Sequence, residues 1–148
     1  MRGRKADGGT MRLSVTKVEH YSAAIPNQVG EGARVLGALR DEGINVIALW
    51  AYPSGNDMAQ LEMIVQRGSG FVKATKKAGL QVSAKQTAFF LNGDDYPGAV
   101  AGTLAKLAHV GINVGAVQAV CGGKGRYGAV VFLPQASIRK AAKALGIS

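Results

Sequence analysis

Apolar positions recur at every third residue in two stretches of the chain. "VGEGARVLGALRDEGINV", from Val29, spaces Ala33, Leu36 and Leu39 in this way, and "PGAVAGTLAKLAHVGINV", from Pro97, does the same with Ala101, Leu104 and Leu107. Such spacing keeps one face of a helix apolar, so each stretch predicts a helix. Sliding the chain against itself by 68 residues superposes the two, aligning Gly30 with Gly98 and Gly43 with Gly111. The match runs on through "EGINVIALWAY" and "VGINVGAVQAV", which keep an asparagine at the same place, Asn45 and Asn113. Upstream, "LSVTKVEHY" and "SAKQTAFFLN" are rich in branched and aromatic residues and free of breakers, so both predict strands. Downstream, "DMAQLEMIVQ" and "RYGAVVFLP" predict strands again. The alanine- and lysine-rich "GSGFVKATKKAG" and "QASIRKAAKALG" then predict short helices closed by glycine.

Repetition on this scale fixes an architecture more firmly than any single motif. It predicts an α/β (α+β) protein of two ferredoxin-like βαββαβ units in tandem, each an antiparallel sheet with its helices on one face. The expected spans are a mobile basic tail over 1–10, a first domain over 11–83 and a second over 84–148. In the first unit "LQVSAKQ" reads as the last strand and runs without a turn into the second unit, whereas the second unit lacks a last strand before "GIS". That leaves either a three-stranded sheet or an edge supplied by the N-terminal segment or by a partner. An unprotected edge beside an apolar sheet favours pairing with a partner or neighbour.

The apolar fraction of 47% is that of a globular protein. Neither a membrane-length apolar run nor a secretion signal is visible, so the expected location is the cytoplasm. Cys121 is the single cysteine, which leaves no internal disulfide. The formal net charge is +9, which favours anionic partners without choosing among them. Much of it sits on the second helices, at Lys73, Lys76, Lys77, Arg139, Lys140 and Lys143. A nucleic-acid-binding protein on a ferredoxin-like scaffold, stacking bases on Phe89, Phe90 and Phe132, is the alternative function, but those cations belong to the helix side, away from such a face. "CGGKGRYG" lies between two strands with no helix after its glycines, so it reads as a hairpin and not a phosphate loop. One cysteine, the scattered His20 and His109, and the adjacent Asp94 and Asp95 make no metal or catalytic constellation. The reading is therefore non-catalytic, with no cofactor and no metal. Trp50 falls where the second copy has Gln118, and serves either core or contact surface.

The two copies resemble ACT domains, regulatory ferredoxin-like modules of amino acid metabolism. The resemblance spans about Leu13 to Ile147 and is strongest in "DDYPGAVAGTLAKLAHVGINV", with its proline-glycine turn, helix and G-I-N; the first copy has Val29 in place of the proline. It implies a regulatory module that pairs side by side into a continuous sheet, as a homo-oligomer (dimer), and binds a free amino acid or small carboxylate at domain interfaces, in the service of an enzyme of amino acid metabolism. The family's polar residue ahead of the turn and its asparagine at the second strand fall on Asn27 and Asn45 in one copy and on Asp95 and Asn113 in the other. A histidine used by amino-acid-binding members falls on Ile25 and Gly93 and is absent. Independently of the resemblance, a helix N-terminus offers unpaired amides to a carboxylate, and Gly30 and Gly98 permit close backbone approach. Asp95 capping its helix, and each asparagine tying its own turn, remain the alternatives for those residues.

Overall fold

The computed structural model describes residues 11–147. Within them the elements run β1 (Leu13–Pro26), α1 (Glu31–Asp41), β2 (Ala48–Gly55), β3 (Met58–Val65), α2 (Phe71–Lys77), β4 (Gln86–Asp94), α3 (Ala99–His109), β5 (Ala116–Gly123), β6 (Arg126–Phe132) and α4 (Ile138–Ala144), with a short 3₁₀ turn at Gln135–Ser137. This is an α+β fold of six antiparallel strands and four helices among the described residues. The expected N-terminal tail, 1–10, lies outside them. No helix among them is long and apolar enough to cross a membrane.

The chain divides into two compact units. One is Lys17–Phe89, and the other joins residues 90–147 to residues 11–16. The sequence repeat, divided between 83 and 84, and these compact units are therefore offset at their ends.

In the first unit the strand order is β2-β3-β1. Alternate residues of β1 and β3 share a face in register, Tyr21 with Met63, Ala23 with Leu61 and Ile25 with Ala59. They close a core with Val35 and Leu39 of α1 and Phe71 of α2, and the Tyr21 and Phe71 rings stack with centroids 4.5 Å apart. Burial pushes the Tyr21 phenol up to about 12, helped by its hydrogen bond to Glu19. "LQVSAKQ", expected as a strand, is irregular over 80–85, and β4 starts only at Gln86. The reason is local: the Ser83 amide donates to the Ser22 carbonyl at 2.8 Å, but the Ser22 amide returns to the Ser83 hydroxyl at 2.9 Å instead of a carbonyl, so no ladder propagates.

In the second unit β4, β6 and β5 are neighbours in that order, and the start of β1 lies on the free side of β4. The Asp94 amide donates to the Arg12 carbonyl at 2.9 Å. The N-terminal segment thus fills the edge for which the sequence favoured a partner or neighbour. Leu91, Leu107, Ala129, Val131, Leu133 and Ala141 are buried in this unit.

All four helices end in the same way. After α1 and α3, Gly43 and Gly111 adopt φ of +73° and +75°, and the amides of Ile44 and Ile112 donate to the carbonyls of Leu39 and Leu107 at 2.9 and 3.0 Å. This is a Schellman cap, which needs glycine for its left-handed residue and an apolar residue next to pack back on the helix. Ile112 is buried and Ile44 packs against its core. The repeated G-I is thereby explained by helix termination. "CGGKGRYG" is a hairpin, with Lys124 and Gly125 both at positive φ, and Asn56 and Asp57 turn β2 into β3 in the same manner.

Candidate functional site

The strand β4 delivers Asp94 and Asp95 to a turn, Tyr96-Pro97-Gly98, that starts α3. Gly98 sits at φ +80° as the N-cap, and no side chain caps the helix. The capping alternative for Asp95 is thereby removed. Its amide donates to the Gly125 carbonyl at 2.8 Å, which ties the turn to the β5–β6 hairpin, and its carboxylate accepts the Cys121 thiol at 3.1 Å.

A hollow of about 300 Å³ opens beside this uncapped helix start. Asp95, Tyr96, Gly98 and the first turn of α3 form one wall, and Val120, Cys121 and Tyr127 form the other. Tyr127 is only 7% exposed. Its position depends on Gly93: a Cβ there would stand 2.7 Å from the Tyr127 ring. Burial, then the neighbouring Tyr96, raises the Tyr127 phenol, with Arg126 opposing, so the hydroxyl stays protonated at neutral pH. Asp94, by contrast, faces Arg126 at 2.6 Å and accepts the Arg12 amide at 2.8 Å. The Arg12 amide first, and then Arg126, hold its carboxyl below the ordinary carboxylate range.

The six residues singled out from the sequence are placed as follows. Asp95 and Gly98 line the hollow, and Asn113 is not among the residues that do. Asn27 and Gly30 share the corresponding turn before α1, where Gly30 is again a left-handed N-cap and the Asn27 amide donates to the Asp57 carbonyl at 2.8 Å. Asn45 and Asn113 are exposed. Neither amide side chain makes a hydrogen bond to a described residue, so neither ties its own turn. Tyr96, Cys121 and Tyr127 were missed as site residues. The signal was in the offset comparison, where Gly93 and Tyr127 lie opposite Ile25 and Ala59.

A second polar assembly belongs to the first unit alone. Glu62, 8% exposed, lies 2.7 Å from His20 Nε2 and accepts hydrogen bonds from the Ser22 hydroxyl and, at 3.3 Å, from the Tyr52 phenol. Trp50, the cross-strand neighbour of Glu62, stacks on His20 with ring centroids 6.1 Å apart. At the offset positions the second copy has Val130, Ala88, Phe90, Val120 and Gln118. Phe89, one of the aromatics that nucleic-acid stacking requires, is fully buried.

No family model matches the chain, and no curated protein does. Solved structures do. Protein BT0572 from Bacteroides thetaiotaomicron aligns over 89% of this chain and 88% of its own with a TM-score of 0.73 and 21% identity. The ligand-free regulatory subunit of aspartate kinase from Thermus thermophilus aligns over 93% and 95% with a TM-score of 0.62 and 17% identity. That of Thermus flavus aligns over 92% and 94% with a TM-score of 0.58 and 17% identity. At such identities the likeness is one of fold. The chain carries the ACT-type fold of these regulatory domains.

Proposed function

We propose that the protein is a non-catalytic regulatory module of amino acid metabolism that binds a free amino acid or similar small carboxylate in the hollow ahead of α3. The observation that carries this reading is the uncapped helix start with Asp95 beside it in the wall of a hollow of suitable size. The ligand carboxylate meets the helix amides, where the dipole favours negative charge, and its ammonium meets the Asp95 carboxylate. Asn113, exposed beyond the Schellman cap of α3, completes the site from the partner side when two copies pair, and Asn27, Gly30 and Asn45 form its weaker counterpart. The fold likeness to regulatory subunits of aspartate kinase supports an enzyme of amino acid metabolism as the target. The exposed edge strands β2 and β5 support association of copies as a homodimer.

A thermal-shift screen of the twenty free amino acids tests this, because a ligand specific for the folded state raises the melting temperature. The reading predicts a saturable rise with one or a few of them, lost in Asp95→Asn. No rise with any, confirmed by calorimetry, removes the ligand-binding function.

A further inference from the structure

The hollow at the start of α3 has its charge at one place. Among the described residues Asp95 is the single charged side chain that lines it, while Ala99, Val100, Ala101, Ala119 and Val120 give it aliphatic surface. Val120, on the edge strand β5, is 71% exposed, so much of that surface lies bare. An exposed apolar patch in a concave wall marks a place that another apolar group covers with gain. The polar groups of the same wall add no charge for a ligand to meet. The Cys121 thiol is given to the Asp95 carboxylate and, at 3.4 Å, to the Arg126 carbonyl, and the Tyr127 phenol, raised by burial, stays neutral.

We infer that the ligand is an amino acid with an aliphatic side chain, of the valine and leucine class, and that Val120 is the residue that selects it. The inference rests on the amino-acid reading of this hollow and adds the class of side chain. With the ligand's ammonium at Asp95 and its carboxylate at the helix start, the side chain is left to the aliphatic wall. A side-chain carboxylate would come close to Asp95 with no cation in the lining to pair with, and a side-chain ammonium would compete with the ligand's own for Asp95. Size points the same way. At about 30 Å³ per water, a space of about 300 Å³ holds about ten waters, which suits a branched aliphatic amino acid better than an aromatic one.

Calorimetric titration of the full chain with valine, leucine, alanine, glutamate, lysine and phenylalanine tests the inference. Each methylene covered by the wall is worth about fourfold in affinity, so leucine should bind about tenfold or more tightly than alanine, and glutamate, lysine and phenylalanine more weakly than leucine. The ratio of leucine to alanine affinity reads the side-chain contact alone, because the two ligands share one head group. Val120→Ala should lower that ratio about fivefold and the isosteric Val120→Thr about threefold, with alanine's own affinity kept within about twofold. Leucine binding no tighter than alanine, or tightest binding of glutamate, lysine or phenylalanine, overturns the inference and leaves the amino-acid reading standing. So does a ratio unchanged in Val120→Ala, which would place the side chain against another surface. Binding of none of the six overturns the inference, and extending the titration to the remaining amino acids then decides whether the amino-acid reading falls with it.

Discussion

Ahead of α1, the bulky side chain at the turn comes from the first strand, Ile25, which faces Ala59 across the ladder. Ahead of α3 the strand offers Gly93, and the bulk comes from the opposite side as Tyr127. Both arrangements fill the same place beneath a left-handed glycine N-cap, and both tie the turn to a hairpin carbonyl, Asp57 or Gly125. The chemistry they leave differs. The first turn has an aliphatic floor, and Pro53 stands where the second has Cys121; the second has a phenol and a thiol facing Asp95. A repeated backbone thus supports one polar hollow through a swap of large and small residues between two strands.

The first way to break this comparison is to undo the swap. Gly93→Ile alone drives a side chain into the Tyr127 ring and should cost about 3 kcal/mol in urea unfolding, and Tyr127→Ala alone about 3–4 kcal/mol through the cavity it leaves. The double variant, which gives the second turn the residues of the first, should be more stable than the sum of the two by about 1–3 kcal/mol. Strict additivity would show that the two positions do not compensate one another.

The polar assembly on Glu62 provides the next contrast, since the second copy has valine there. Glu62→Gln keeps the shape but removes the charge that accepts from Ser22 and Tyr52, and should cost about 1–3 kcal/mol. An unchanged urea midpoint would mean that the assembly contributes nothing to the first unit. Smaller again is the effect at the glycine N-caps. Gly30→Ala and Gly98→Ala meet open space, so only the left-handed conformation is strained, and each should cost about 1 kcal/mol. Equal losses in stability with ligand binding lost only in Gly98→Ala would sharpen the distinction between the turns.

Asp94 gives the mildest test. Its folded-state pKa is lowered from the ordinary 3.8, so its contribution is complete above that value and is lost as the pH falls below it through the folded pKa. Wild type should therefore exceed Asp94→Asn in stability at pH 7, and the gap should close in acid. A gap that widened on acidification would contradict the roles given to Arg12 and Arg126.

How far the sequence revealed these features depended on whether the determining contacts were local. The helices and their ends were legible because apolar spacing and a Gly-Ile cap act within a few residues. The repeated G-I-N pointed to a paired site, but its glycine and isoleucine terminate helices, and only the exposed asparagines are left for a ligand. The edge beside β4 was not legible, since the Arg12–Asp94 contact spans 82 residues and carries no local pattern. Nor was "LQVSAKQ", whose strand-like composition yields to a single serine hydroxyl replacing a carbonyl in the ladder. Asp95 and Gly98 were visible as site candidates, while Tyr127 emerged only once Gly93 was seen as the space it occupies.

The claim that the two turns are unequal is tested most directly by the stoichiometry of amino acid binding. Calorimetric titration of the full chain with each of the twenty free amino acids should find one site per chain for the best ligand, abolished by Asp95→Asn and retained in Asn27→Ala. Two equivalent sites per chain, or a single site lost in Asn27→Ala and kept in Asp95→Asn, would contradict the account.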